Sequence, residues 1–171
     1  DKIIDNAHKL GIYSTIKNIP AMALGTSEMS LLELTTAYAH IANSGHKVIA
    51  YAVSAIDDKF ANNIYSRHGS GADKAVIEPD ALLKIDDLMY NVVEWGTGRA
   101  AQIDGLRVGG KTGTSQNSRD AWFIGYTDDI VMGVWFGNDD DSAMQQINGG
   151  NLPTQLWRDI TYNIYINNLL P

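Results

Sequence analysis

The chain has 171 residues, a formal net charge of −7 and no cysteine. Absence of cysteine excludes disulfides, cysteine-ligated zinc and thiol catalysis, and the acidic balance argues against a nucleic-acid partner, which would leave a basic footprint. With 44% apolar and 19% charged residues, the composition is that of a globular chain with one sizeable core, not of a disordered one.

Taken in chain order, Ile3, Ile4, Ala7 and Leu10 repeat at helical spacing and Gly11 follows as a stop. Residues 12–29 carry no period and read as loop. Ser30-Leu31-Leu32-Glu33 fits a capping box, opening a helix with Leu34, Ala37, Tyr38 and Ile41 on one face. Asn43-Ser44-Gly45 closes it. Residues 48–56 are apolar and rich in strand formers; Asp57-Asp58 supplies a turn, and Ile64-Tyr65 returns as a second strand. Gly69-Ser70-Gly71 reads as a flexible loop. Pro79 suits a first helical turn, ahead of Leu82, Leu83, Ile85, Leu88, Met89 and Val92, and Gly96 ends that helix.

Three strands are predicted next, over 106–114, 121–126 and 130–137. Thr127-Asp128-Asp129 is short enough to join the last two as a hairpin. A final helix starts near Pro153 and carries Leu156, Trp157, Ile160 and Ile164. Helices come first, then an antiparallel cluster, then a terminal helix, which is α+β rather than alternating βαβ. No apolar run is long enough to span a bilayer. No signal peptide is visible, because Asp1-Lys2 leads straight into an amphipathic pattern. A cut inside a longer protein is therefore expected.

The informative segment is Gly109-Gly110-Lys111-Thr112-Gly113-Thr114-Ser115, and two chemistries compete for it. Residues 105–112 satisfy the phosphate-binding pattern G-x-x-x-x-G-K-[ST] letter for letter. That motif needs a buried strand before its first glycine and a helix from its Lys-Thr. Residues 99–104 do not read as a strand, and residues 113–119 do not read as a helix. The other chemistry is the K-T-G strand of serine acyl-transferases that react with β-lactams. On a strand, Thr112 and Thr114 present both hydroxyls to one side, and the glycines admit a close backbone or ligand. Lys111 adds positive charge and proton assistance. The Thr114 N–H can form half of an oxyanion hole. An ordinary edge strand with a solvated lysine is the plain alternative.

The wider sequence separates these readings. The stretch from Ile19 through Pro20, Gly25 and Glu28, the Leu32-Glu33-Leu34 with Ala37-Tyr38 pattern, and Ala42-Asn43-Ser44-Gly45 all resemble penicillin-binding proteins. So do Trp95-Gly96-Thr97-Gly98, the run from Arg119 to Tyr126, the run from Val134 to Asp139, and Asn148-Gly149-Gly150. The likeness keeps the family's order and has the flavour of the class A, bifunctional type. Gly109 stands where alanine is common and Leu31 where proline is common. The fold implied is the α+β transpeptidase fold shared with serine β-lactamases: an antiparallel sheet flanked by helices, with this chain as its C-terminal part.

The resemblance implies a D-alanyl-D-alanine transpeptidase. It cross-links peptidoglycan outside the cytoplasmic membrane through a serine acyl-enzyme, and penicillins acylate that serine. In that scheme Lys111 supplies charge and proton assistance. Thr112 and Thr114 bind the terminal carboxylate across Gly113, and the Thr114 N–H stabilises the oxyanion. Peptidoglycan stem peptides and β-lactams are the implied ligands, with no metal or organic cofactor. The family also needs S-x-x-K and S-x-N motifs. Ser14 to Lys17 and Ser44 to Lys47 spell the first, and Ser115-Gln116-Asn117 spells the second, but each falls in the wrong place. The nucleophile, the S-x-N loop, a membrane anchor and a glycosyltransferase domain are therefore expected upstream of Asp1, making the preceding part of the same protein a partner. A P-loop nucleotide hydrolase and a non-catalytic binding module of the same fold are the alternatives.

Weaker constellations complete the reading. His8, His40, His46 and His68 form no metal-ligand spacing. Asp139-Asp140-Asp141 reads as a solvated turn before a cation site. Trp95, Trp122, Trp135 and Trp157 read as core and rim packing, with one near Gly96-Thr97-Gly98 able to border a cleft.

Overall fold

The computed structural model describes residues 1–68 and 74–170. The predicted loop Gly69-Ser70-Gly71 lies outside them. Helix α1 (Lys2–Lys9) starts at Asp1, whose carboxylate accepts the Ile3 N–H at 3.0 Å. Gly11 turns the chain away with φ of 84°. Residues 12–29 are irregular as expected, apart from a 3-10 turn at Pro20–Leu24 that the proline initiates.

Helix α2 (Leu31–Ala42) opens on the capping box read from the sequence: Ser30 Oγ accepts the Glu33 N–H, and Glu33 reaches back to the Ser30 N–H. Glu33 does more than close the box. Its carboxylate also accepts Tyr13 N–H, Ser14 N–H and the Ser14 hydroxyl at 3.0, 2.9 and 2.7 Å. One side chain thus ties the irregular N-terminal segment to the helix start. The Ser14 hydroxyl bond, reinforced by the surrounding N–H groups, holds the Glu33 carboxyl at about 2.

A small antiparallel hairpin follows, β1 (Ala55–Asp57) with β2 (Asn63–Ser66). Asp58 folds its turn by accepting the N–H groups of Phe60 and Asn62. The predicted strand over 48–56 is corrected here to its last two residues plus Asp57. Lys47 N–H still bonds Lys74 O at 2.9 Å. Beyond it, residues 48–53 meet no partner strand among the described residues, and β-propensity without a partner leaves an extended chain, not a sheet.

Helix α3 (Pro79–Glu94) has its proline at the first turn and ends at Trp95. The main sheet contains β3 (Gly109–Thr114), β4 (Asp120–Tyr126) and β5 (Val131–Gly137), antiparallel in the order β3-β4-β5. The predicted hairpin is present: Thr127 N–H bonds Ile130 O, and Thr127 Oγ1 accepts the N–H groups of Asp129 and Ile130. Strand β3 starts at 109, not at 106. Arg107 turns aside before it, pairing with Asp86 of α3 at 2.7 Å and lying over the Tyr90 ring at 5.0 Å.

Both faces of β4 are covered. Phe123 meets Trp157 edge-on at 5.5 Å. These two join Val93, Ala101, Val108 and Val134 in the core. Trp157 belongs to α4 (Leu152–Ile166), which Asn151 caps and Pro153 opens. On the opposite face α2 packs so closely on β5 that a Cβ at Gly133 would stand 2.2 Å from Thr35 Oγ1. Helices on both sides of an antiparallel sheet make the fold α+β. Strand β5 pairs only with β4 among the described residues, so its other edge is open.

Candidate functional site

Strand β3 is the other edge of the sheet, and it carries Lys111-Thr112-Gly113-Thr114. Its register against β4 pairs Lys111 with Ile124, Thr112 with Phe123, Gly113 with Trp122 and Thr114 with Ala121. Ser115 N–H bonds Asp120 O at 3.0 Å. Because hydrogen-bonded pairs alternate along an antiparallel ladder, the N–H and C=O groups of Thr112 and Thr114 point away from β4, towards the open edge. Lys111 is exposed, and its Nζ curls to that same edge to donate to Thr112 O at 2.8 Å. The edge therefore offers a cation, outward N–H donors and an outward carbonyl within one turn of strand.

The hydroxyls of Thr112 and Thr114 share a face, as the spacing predicts, and each meets a partner. Thr112 Oγ1 and Thr97 Oγ1 are 2.6 Å apart. That bond uses one of the pair's two protons and leaves one to give. Thr114 Oγ1 accepts the Gly149 N–H at 2.9 Å, so its own proton is also unspent. Two strand rises separate the threonines, about 6.6 Å, a span that brackets the two oxygens of a carboxylate.

Three features hold this edge in place. The Arg107–Asp86 pair anchors the entry to β3, and the Tyr126 hydroxyl donates to the same carboxylate at 2.8 Å. Burial, aided by that bond, pushes the Tyr126 hydroxyl far above its ordinary value. On the hydroxyl face, the turn after α3 brings Thr97 up to Thr112. The Asn148-Gly149-Gly150 segment crosses over Gly113 and Thr114, and Gly149 is buried there. Thr97 and Gly149 belong to the site's geometry although the Lys-Thr-Gly-Thr pattern does not contain them. Their two glycine-bearing segments were the legible signal; their convergence on β3 was not.

The other motif matches fall elsewhere. Lys111-Thr112 sits inside a strand with no helix beginning there, so the P-loop reading fails on geometry. Ser14 is spent on Glu33, a carboxylate that takes five hydrogen bonds and is no free base. Ser44 lies past the end of α2 with φ of 54°, not on a first helical turn. Ser115 accepts the Asp120 N–H and Asn117 is left-handed, which makes that triplet a turn. Asp140 accepts the Ser142 N–H and Asp141 pairs with Arg119, so the acidic run is used as a turn. Trp157 is core; Trp122 and Trp135 lean together at 6.1 Å. Trp95, 76% exposed, flanks the Thr97 turn. A cavity of about 560 Å³ lined by His8, His40, Lys47 and Lys74 among others includes no residue of 111–114.

An edge strand bearing this tetrapeptide, with helices on both faces of its sheet, defines an α+β domain, and solved structures share that fold. PonA1, a penicillin-binding protein of Mycobacterium tuberculosis, superposes with a TM-score of 0.81 at 21% identity, over 93% of this chain and 48% of that one. Penicillin-binding protein 1A of Haemophilus influenzae gives 0.76 at 20% identity over 92% and 30%. Residues 13–162 match the family model of the penicillin-binding protein transpeptidase domain, and the chain belongs to that family. Penicillin-binding protein 1A of Rickettsia conorii is 33% identical over 96% of this chain and 24% of its own length. Penicillin-binding protein 1B of Haemophilus influenzae is 34% identical over 92% and 20%. The chain thus spans about a quarter of the length of these relatives.

Proposed function

We propose that this chain is the K-T-G half of a D-alanyl-D-alanine transpeptidase that cross-links peptidoglycan outside the cytoplasmic membrane and is acylated by β-lactams. The observation that carries the reading is the open β3 edge. There Lys111 Nζ reaches Thr112 O, the Thr114 N–H points outward, and unspent protons remain beside Thr112 and Thr114. These are the groups needed to hold a terminal carboxylate and to stabilise negative charge as a tetrahedral centre forms. Thr112 and Thr114 bind the carboxylate on either side of Gly113, and the Thr114 N–H meets the oxyanion. Lys111 lowers the barrier by its charge and by assisting proton movement at the serine.

Neither Ser14 nor Ser44, the two serines in S-x-x-K spacing, stands in the geometry of a nucleophile, which supports placing the acylated serine and the S-x-N loop in preceding sequence of the same protein. The open outer edge of β5 supports the same division. An unpaired strand edge is a template for another strand, and preceding sequence is its natural occupant. No helix among the described residues is long and apolar enough to cross a membrane.

Labelled penicillin added to the complete protein tests the reading directly. Lys111→Ala should slow acylation by about 10²–10⁴-fold while the melting temperature stays near the parental value, because Lys111 is exposed. Acylation at the parental rate would remove Lys111 from the mechanism. A mass increase on the 171-residue chain alone, mapped to Ser14 or Ser44, would place the nucleophile inside it.

A further inference from the structure

We infer that Gly149 is a positioning residue: its N–H occupies a lone pair of the Thr114 hydroxyl and thereby aims the Thr114 proton outward, at a carboxylate on the substrate. The inference rests on the carboxylate-binding reading of Thr112 and Thr114 given above.

A backbone N–H only donates, so at the 2.9 Å contact Thr114 Oγ1 must be the acceptor. Gly149 is buried, so water does not compete easily for that bond. A free threonine hydroxyl can rotate its proton towards any nearby acceptor. With one lone pair held by a fixed donor, the remaining directions are limited before any ligand arrives. Donors oriented in advance need no reorganisation when charge appears, which is what makes them effective.

The segment that carries Gly149 is pinned from behind. Thr154 Oγ1, fully buried in α4, donates to Gly149 O. Asn151 Oδ1 accepts both Asn148 N–H and Leu152 N–H, and its Nδ2 donates to Gln146 O. Asn148 Oδ1 accepts Gly150 N–H. The first turn of α4 therefore fixes the strap, and the strap fixes the Thr114 hydroxyl.

Space explains why glycine stands here. A Cβ at 149 would lie 2.4 Å from Gly113 O and 2.6 Å from Trp122 O, both backbone atoms of the sheet. A Cβ at 150 would lie 2.6 Å from Thr97 O. Neither neighbour is a flexible side-chain tip, so a side chain would force the strap off β3. Close approach, not turn conformation, sets the requirement, because neither glycine has positive φ.

The test uses the complete protein and two acylating probes, a penicillin and its neutral methyl ester. The readout is the ratio of their second-order acylation rates. A well-aimed bond to a charged group is worth about 10–100-fold. Gly149→Ala should therefore lower the acid-to-ester ratio by roughly 10-fold, while the ester rate changes far less. Asn151→Ala, which loosens the strap without a clash, should lower it in the same direction and serves if Gly149→Ala does not fold. Thr114→Ser should keep the ratio. In a Thr114→Val background, Gly149→Ala should lower the ratio no further. An unchanged ratio in both strap variants, or a full additional drop in the double variant, overturns the role of Gly149. An unchanged ratio in Thr114→Val alone overturns the carboxylate reading beneath it.

Discussion

The hairpin β1-β2 and the sheet β3-β4-β5 are both antiparallel, yet they differ in what lies against them. In the hairpin, Ile56, Ile64 and Tyr65 are 49%, 67% and 44% exposed. In β4, Ala121, Phe123 and Ile124 are at most 2% exposed. Isoleucine and tyrosine occur in both, so residue type alone does not set the exposure. Helices α2 and α4 press on opposite faces of the sheet, whereas no helix covers the hairpin among the described residues. A two-stranded ribbon is marginal alone, so the hairpin is held by its turn and by local contacts such as Arg67 over the Tyr51 ring at 4.1 Å. Apolar strand residues therefore mark burial only where a second layer exists to receive them. The same contrast bears on the proposed site: there Lys111 to Thr114 need a strand that stays fixed while one edge remains open, and the covered sheet offers that.

Trp157→Ala probes the covered region hardest. It removes the largest fully buried side chain, its edge contact with Phe123 and its Nε1–H bond to Met132 O. The expected loss is about 3–5 kcal/mol of stability, read by urea unfolding; a loss below about 1 kcal/mol would mean that α4 is not what holds the sheet. Ser30→Ala should cost about 1 kcal/mol through the lost cap. It should also raise amide exchange at Tyr13 and Ser14, since the Glu33 carboxylate that holds them loses one of its own anchors. Unchanged exchange there would separate the loop from the cap.

The Glu33 carboxyl gives a pH signature of the same junction. Its folded value, about 2, lies below the ordinary 4.5, so its contribution is complete above about 4.5 and disappears as pH falls through about 2. Amide exchange at Tyr13 and Ser14 should rise across that acid window, and Glu33→Gln should flatten the dependence. A persistent slope in Glu33→Gln would assign it to another group. The smallest effect belongs to the hairpin tip: Phe60→Ala, at a residue 74% exposed, should change stability by no more than about 0.5 kcal/mol. A larger loss would show that the hairpin is packed after all.

Local signals were legible in advance where they act within a few residues. The capping box at Ser30 and Glu33, Pro79 and Pro153 at first helical turns, and the Thr127 hairpin were each read from short patterns and lie where expected. The strand expected over 48–56 is confined to its end, because propensity says nothing about whether a partner strand arrives. Nothing in the local pattern around Arg107 marks that β3 starts at 109 and not at 106. Only its ion pair with Asp86, twenty-one residues away, shows why the chain turns there.

By itself the sequence determined the Lys-Thr-Gly-Thr strand, the shared face of Thr112 and Thr114, the α+β order and the family resemblance. All of these depend on residue identity at fixed short spacing. The tertiary structure decided that β3 lies at an edge of the sheet, that Thr97 meets Thr112, and that Gly149 reaches Thr114 across 35 residues of chain. Such contacts require two segments to arrive at one place. That is settled by the packing of α3 and α4 against the sheet, for which no local pattern carries the information.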